Sequence, residues 1–327
     1  MRLHPVRFFV ALAIVVAAVM PASAQINLVG YWSPLYDEDF LERLPGPDVG
    51  DYAGLPITAA ARKRANTWEA SLLTLPEHQC KPHPSTYGFR GIGLVRIWED
   101  RDSQTQRLVK VHTFIQYQEQ HREIWMDGRP HPPDLEPHTW QGFSTGRFEG
   151  DVLVVRTTHL KAGWVRRNGV PLSDRATMTE RFFRHDDLLT HVMMIEDPVY
   201  LSEPLVKTTG YVLAPNGTMD PYPCRAVVEV PREAGEIPHH TLDEVPPTRE
   251  FAMKHDIPED AAAGGAETAL PEYMAKLPSL PRVTPAGDPN GGFGPPPPGR
   301  GAGPPGRGGP PPAGRGAGPG GRSGRPQ

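Results

Sequence analysis

Between Leu94 and Leu213 the chain is a succession of short apolar or alternating segments, each closed by a polar turn, with no segment of helical period among them. That feature constrains the fold more than any other. Leu94–Trp98 comes first. Leu108–Tyr117 alternates, with Val109, Val111, Thr113, Ile115 and Tyr117 on one face. Arg122–Met126 runs into Asp127-Gly128, a hairpin-type signal. Arg147-Phe148 leads through Glu149-Gly150-Asp151 into Val152–Thr158. Thr177–Arg184 and Leu188–Ile195 flank the turn His185-Asp186-Asp187, and Val206–Leu213 closes the series. Parallel neighbours need crossover helices and none is available, so the segments read as an antiparallel meander. About eight such strands remove their unpaired edges by curling up. The expected fold is mainly β: a meander over 90–230 closing into a lipocalin-like barrel, with room for side chains or one small ligand.

The flanks are of other kinds. Residues 1–24 have the form of a secretory signal peptide: Arg2 and Arg7, an apolar run from Phe8 to Met20, then Ala22-Ser23-Ala24 before a mature start at Gln25. The run is shorter than the ~20 residues of a membrane span, so no integral membrane segment is expected in the mature chain, and its place is periplasmic or secreted. In 25–89, Thr58 as N-cap and Ile57 as staple predict a helix over 59–73, with Ala61, Ala65, Trp68 and Leu72 on its packed face. Residues 231–282 read as an irregular wrap with short helices near Glu250–His255 and Pro271–Leu277, after a short strand at Ala226–Val230. Residues 283–327 are Gly, Pro, Arg and Ala with almost nothing apolar, and are expected to be disordered. That tail reads as a solvated linker whose one functional reading is a weak contact with anionic envelope components.

Charge narrows the partners. Setting aside Arg2, Arg7 and the tail's five arginines and Asp288 leaves 27 basic against 37 acidic residues. An acidic body is the wrong sign for nucleic acid. Two cysteines in an oxidising compartment, Cys80 and Cys224, read as one disulfide. It closes a loop of about 145 residues, worth at most about 5 kcal/mol by chain entropy. The alternative, metal ligation through His78, Cys80 and His83, matches no strong zinc pattern and lacks a second cluster. No metal and no cofactor are expected. Gly91-Ile92-Gly93 precedes a strand, so it offers no phosphate-binding helix N-terminus.

Polar and aromatic residues crowd between 121 and 184. Arg122, Trp125, Asp127, Arg129 and His131 gather around one turn, followed by His138 and Trp140. His131, stiffened between prolines, is the leading candidate for acid/base work, with Asp127 and Arg122 beside it. Trp125, Trp140, Arg129, His138 and Glu180 are candidate ligand contacts. Arg122 with Glu180 or Glu123 also reads as a cross-strand ion pair. Gly142-Phe143-Ser144-Thr145-Gly146 matches the hydrolase elbow pattern, but no helix follows it, so a nucleophilic serine is rejected.

Asp127-Gly128-Arg129-Pro130-His131-Pro132, then Thr139-Trp140-Gln141-Gly142-Phe143-Ser144-Thr145-Gly146-Arg147-Phe148-Glu149-Gly150-Asp151-Val152-Leu153-Val154-Val155, resembles a family of secreted bacterial proteins of uncharacterised function. Thr179–Phe182 and Asp197-Pro198 extend the resemblance over about residues 57–225. The chain departs from that pattern at Phe143 and Leu172, where His is frequent, and at Arg156, where Asp is frequent. The departures imply a remodelled polar site. The sequence therefore predicts a barrel binding a small amphipathic or aromatic ligand at a mouth near His131. The alternatives are a cofactor-independent isomerase, cyclase or lyase using His131, and a structural envelope protein.

Overall fold

The computed structural model describes residues 26–36, 43, 46–222, 224–241 and 244–283. The leader at 1–24 and the tail from 284 onward lie outside them. Among the described residues no helix is long and apolar enough to cross a membrane.

Nine strands close a barrel: β1 (Gly30–Pro34), β2 (Val95–Arg101), β3 (Leu108–Ile115), β4 (Gln120–Trp125), β5 (Phe143–Glu149), β6 (Val152–Thr158), β9 (Thr177–His185), β10 (Leu188–Glu196) and β11 (Leu205–Leu213). Strands β7 (Gly163–Trp164) and β8 (Pro171–Leu172) form a separate two-stranded ribbon. The mainly-β barrel expected from the alternation is present.

Three features correct the simple meander. β1 supplies the closing strand, pairing Trp32 with Leu213 on β11 and with Val95 on β2. Its five residues end in a proline and carry one inward aromatic, too little for an alternation signal. Next, β4 and β5 run parallel, with Ile124 opposite Ser144. Asp127-Gly128 is a bend but opens a crossover rather than a hairpin. Prolines at 130, 132, 133 and 137 keep the connection extended, with no helix in it. Finally, Ala226–Val230 forms no strand: the barrel is closed and leaves no edge to pair with.

The helix expected over 59–73 stops early. α1 (Ala59–Ala65) is capped by Thr58 Oγ1, which accepts from Ala61 N at 3.2 Å. Thr67 then turns back on Arg64 O through both N and Oγ1, and a 3₁₀ turn follows at Ala70–Thr74. Trp68 leaves the helical path to lie on Gly169, whose φ is +91°. A Cβ at 169 would sit 2.3 Å from Trp68 Cβ, so only glycine allows that seat. The later helices lie where expected, at Pro247–His255 and Pro271–Lys276.

Inward residues stack in layers along the strands. One apolar cluster holds Trp32, Phe89, Ile97, Ile124, Leu153, Phe182 and Tyr211. A second lies toward one end, where α1 caps Val165, Leu172, Met178, Met193 and Ile195. The lumen is not open. Residues 85–88 form a buried helical turn, and Phe89 behind it packs 5.5 Å from Phe182 and 6.0 Å from Tyr211, centroid to centroid. The Tyr211 hydroxyl donates to Phe89 O. A Cβ at Gly88 would meet Ile115 Cδ1 at 2.9 Å. The chain thus fills its own barrel.

Cys80 and Cys224 are joined, with Cα atoms 5.7 Å apart. The bond fastens a strap, residues 224–241, across one end of the molecule. Gln79 clamps the strap next to the bond: its Nε2 donates to Val227 O at 2.8 Å, and Val227 N donates to its Oε1 at 2.6 Å. Further along, His240 N donates to Thr67 O at 3.2 Å.

Candidate functional site

The residues singled out in the sequence occupy three separate places. Arg122 and Glu180 lie inside the barrel, between the two apolar clusters. Arg122 Nε donates to Ser144 Oγ at 2.9 Å, Nη1 to Glu180 Oε1 at 3.0 Å and Nη2 to Thr157 Oγ1 at 2.7 Å. Nη2 also donates to Glu180 Oε2. His191 Nε2 donates to Glu180 Oε1 at 2.9 Å, its ring held between Phe89 and Phe182. Burial alone raises a carboxyl, but here Arg122 and the bonds from His191 outweigh it and hold Glu180 down at about 2. This belt is an ion pair with its hydrogen bonds nearly complete.

A second group lies on the outer wall. Arg129 Cζ sits 3.3 Å from the Trp125 ring centroid, and its Nε and Nη2 grip Asp127 at 2.9 and 2.6 Å. That grip lowers the Asp127 carboxyl. His131 faces outward-pointing Thr145 and Thr158: Nδ1 is 2.8 Å from Thr158 Oγ1 and Nε2 is 2.9 Å from Thr145 Oγ1. Thr158 Oγ1 also reaches His159 Nδ1 at 2.7 Å, and His159 Nε2 reaches Pro133 O at 2.9 Å. One assignment satisfies every atom, because a carbonyl only accepts. His159 Nε2–H donates to Pro133 O, Thr158 donates to His159 Nδ1, His131 Nδ1–H donates to Thr158, and Thr145 donates to His131 Nε2. Burial, then Arg156 and His159, lower the His131 imidazole. Both of its nitrogens are engaged in pinning the proline-rich crossover to the wall. Phe143 packs 5.3 Å from the ring. His138 Nδ1 donates to Leu160 O at 2.8 Å.

The third place is where the polar groups lack partners. Between α1, the β7–β8 ribbon and the strap lies a two-lobed cleft. The larger lobe has a volume of about 540 Å³ and the smaller about 190 Å³. Trp68, His78, Lys81 and Trp164 line both. Within the smaller lobe are also His83, Gln118 and Arg167. Trp68 Nε1, Trp164 Nε1, His78 Nδ1, His83 Nδ1 and Gln118 Oε1 are all buried without a hydrogen-bond partner. His83 is 4% exposed, and burial with Arg167 nearby pushes its imidazole down to about 3. Burial, then Lys161, lowers the Lys81 ammonium; burial, then Lys81, lowers His78.

The cleft is held in shape. The two indoles pack at 5.8 Å. Asp197 fixes the rim, accepting from Ser173 N and Oγ at 2.7 Å each, from Val199 N at 2.9 Å and from Tyr200 N at 3.2 Å. Gln118 and Glu119 are consecutive non-glycine residues at φ +58° and +50°, backbone strain of the kind that gathers at ligand sites. Trp140, from the predicted set, stands at the edge: Lys81 Nζ and Lys161 Nζ lie 5.2 and 5.4 Å from its centroid.

Sequence reasoning read Trp68 as packing and weighed His78 to His83 only as a metal motif. The overlooked signal was that segment itself, where two histidines and a lysine crowd around one cysteine of the disulfide. Among the described residues no group of His, Cys, Asp and Glu could hold a metal. Comparisons with protein-family models, curated proteins and solved structures returned no match to this chain.

Proposed function

We propose that this is a β-barrel protein of the periplasm or exterior that binds a small amphipathic or aromatic molecule, and that it does so in the Trp68–Trp164 cleft at the barrel's end. The carrying observation is the set of five buried polar atoms without partners along one cavity. Leaving such groups unmade costs about 1–3 kcal/mol each, and a ligand that meets them recovers that cost. The larger lobe falls in the volume range of small-molecule sites, and its mixture of aromatic walls with a few polar groups is the usual recipe. The secretory-type leader and the disulfide support an oxidising destination. The Asp127–Pro132 and Thr139–Val155 stretches support membership of the secreted family they resemble. Because the chain fills its own lumen, this reading seats the ligand in the end cleft rather than at the barrel mouth.

The test is native mass spectrometry of protein exported with its own leader. A bound small molecule, present in the wild type and absent from Ala162→Trp, supports the reading. Ala162 is exposed on the cleft wall, so the larger side chain fills the cavity and spares the core. Retention of the same molecule by that variant places binding elsewhere.

A further inference from the structure

We infer that the occupant of this cleft is an aryl monocarboxylate, its ring in the larger lobe beside Trp68 and Trp164 and its carboxylate in the smaller lobe between Lys81 and Arg167. This rests on the cleft being the binding site, and adds the ligand's charge and shape.

The donor inventory carries the argument. An indole N–H can only donate, and both unpartnered indoles line both lobes. Lysine and arginine likewise only donate. Lys81 lines both lobes and Arg167 the smaller one. Against these four donor-only groups stand one acceptor-only atom, Gln118 Oε1, and the imidazole nitrogens of His78 and His83, which serve either way; donors are in surplus at the junction and the smaller lobe, which calls for a ligand end made of acceptors. A carboxylate is the compact group that accepts several bonds at once, and bonds from charged donors are about twice as strong as neutral ones. The other charges nearby set the ligand's valence. Arg64 adds one cation, while Glu229 and Asp174 are exposed carboxylates on the strap and rim. Three cations against two acids suit a single negative charge better than a dianion.

Shape comes from the larger lobe. Its walls include Trp68, Leu72, Trp164, Pro171 and Leu172, with the two indole planes tilted by 49°. Lys81 Nζ lies over the Trp164 ring, 5.4 Å from its centroid, so the cation adjoins the aromatic wall. A ligand with an aromatic body and one anionic end matches that order. A saturated fatty acid would meet the cation but forgo the stacking on tryptophan.

Three probes of one shape decide the matter by calorimetric titration: 2-naphthoate, neutral 2-naphthamide and cationic 2-naphthylmethylammonium. The expected result is naphthoate at least tenfold tighter than the amide, with the ammonium weakest. Lys81→Gln should weaken naphthoate at least fivefold more than it weakens the amide, with Arg167 retaining part of the preference. Ala162→Trp should abolish binding of both. If the amide or the ammonium binds as well as naphthoate, the carboxylate assignment falls and the cleft reading survives. Equal weakening of naphthoate and amide in Lys81→Gln also overturns the assignment. If none of the three binds, the cleft reading fails with it.

Discussion

The barrel's polar belt and its end cleft hold similar side chains under opposite conditions. Arg122, Glu180, Ser144, Thr157 and His191 are sealed between apolar layers, the guanidinium donates to three different side chains, and of these five residues only His191 keeps an unpartnered atom, Nδ1. Lys81, Arg167, His78, His83, Trp68 and Trp164 border a cavity, and five polar atoms there have no protein partner. Buried polarity with its partners in place specifies structure. Buried polarity without them, next to free volume, is poised for something outside the chain. Both regions cost desolvation; they differ in where the compensating bonds come from.

The largest effect should come from breaking the belt. Glu180→Gln leaves the Arg122 guanidinium buried without its counter-charge, which costs about 3–5 kcal/mol. For a body of this size that lowers Tm by roughly 10 °C. Adding Arg122→Met to the same chain removes the stranded cation and should restore at least half of the loss. Thermal unfolding of the two variants checks both outcomes. A single variant within about 1 kcal/mol of wild type would mean that water reaches the belt.

The belt was half legible in the sequence and the cleft was not, for a physical reason. Arg122 and Glu180 stand on strands whose alternation sets the inward face, so their pairing follows once register is known. β4 and β9 are not adjacent in the sheet, however: the bond crosses the lumen. His191 and Thr157 complete the belt from β10 and β6 through the same inward alternation. The cleft, by contrast, is assembled from irregular segments, with Trp68 after a helix end, His78 to His83 beside the disulfide, and Trp164 in a two-residue strand. No period links such positions, and only the tertiary fold brings them together. The Asp127-Gly128 signal failed for a related reason. It described a local bend correctly, but the prolines beyond it decided where the chain went next. A proline-bounded loop marks His131 out in the sequence for its stiffness; which partners its ring meets, Thr145 and Thr158, comes from strands far along the chain and is not legible there.

Acid offers a finer comparison, because the two regions titrate in different windows. His83 is held near 3, below the ~6.5 of an unfolded histidine. Between those values the unfolded chain binds more protons, so stability is full above about pH 6.5 and falls as pH drops toward 3. Glu180 is held near 2, below its ordinary 4.5. Its contribution is intact above that ordinary value and is lost only as pH falls through about 2. Acid should therefore loosen the cleft before the belt. Chemical denaturation from pH 7 to pH 4 should show a loss on the order of 3–4 kcal/mol, and His83→Phe, which keeps the ring packing, should remove the larger part of it. The depressed His78, His121 and His131 account for the remainder. An unchanged slope in His83→Phe would show that the cleft imidazole is protonated freely, and hence hydrated.

The smallest effect is the most discriminating. Thr157→Val in the belt deletes an acceptor that Arg122 Nη2 uses at 2.7 Å, at a cost of about 1–3 kcal/mol. Gln118→Met in the cleft deletes a buried amide oxygen that has no partner. Removing a polar atom that makes no bond sacrifices nothing in the folded state and spares its desolvation, so stability should stay within about 0.5 kcal/mol of wild type or rise slightly. Naphthoate carries no hydrogen-bond donor and cannot partner that oxygen, so the same substitution should leave naphthoate binding no weaker than in the wild type. Urea denaturation of the two variants, with and without 2-naphthoate, reads both quantities at once. Equal costs in the absence of ligand would erase the distinction between a belt that is nearly complete and a cleft that waits for an occupant.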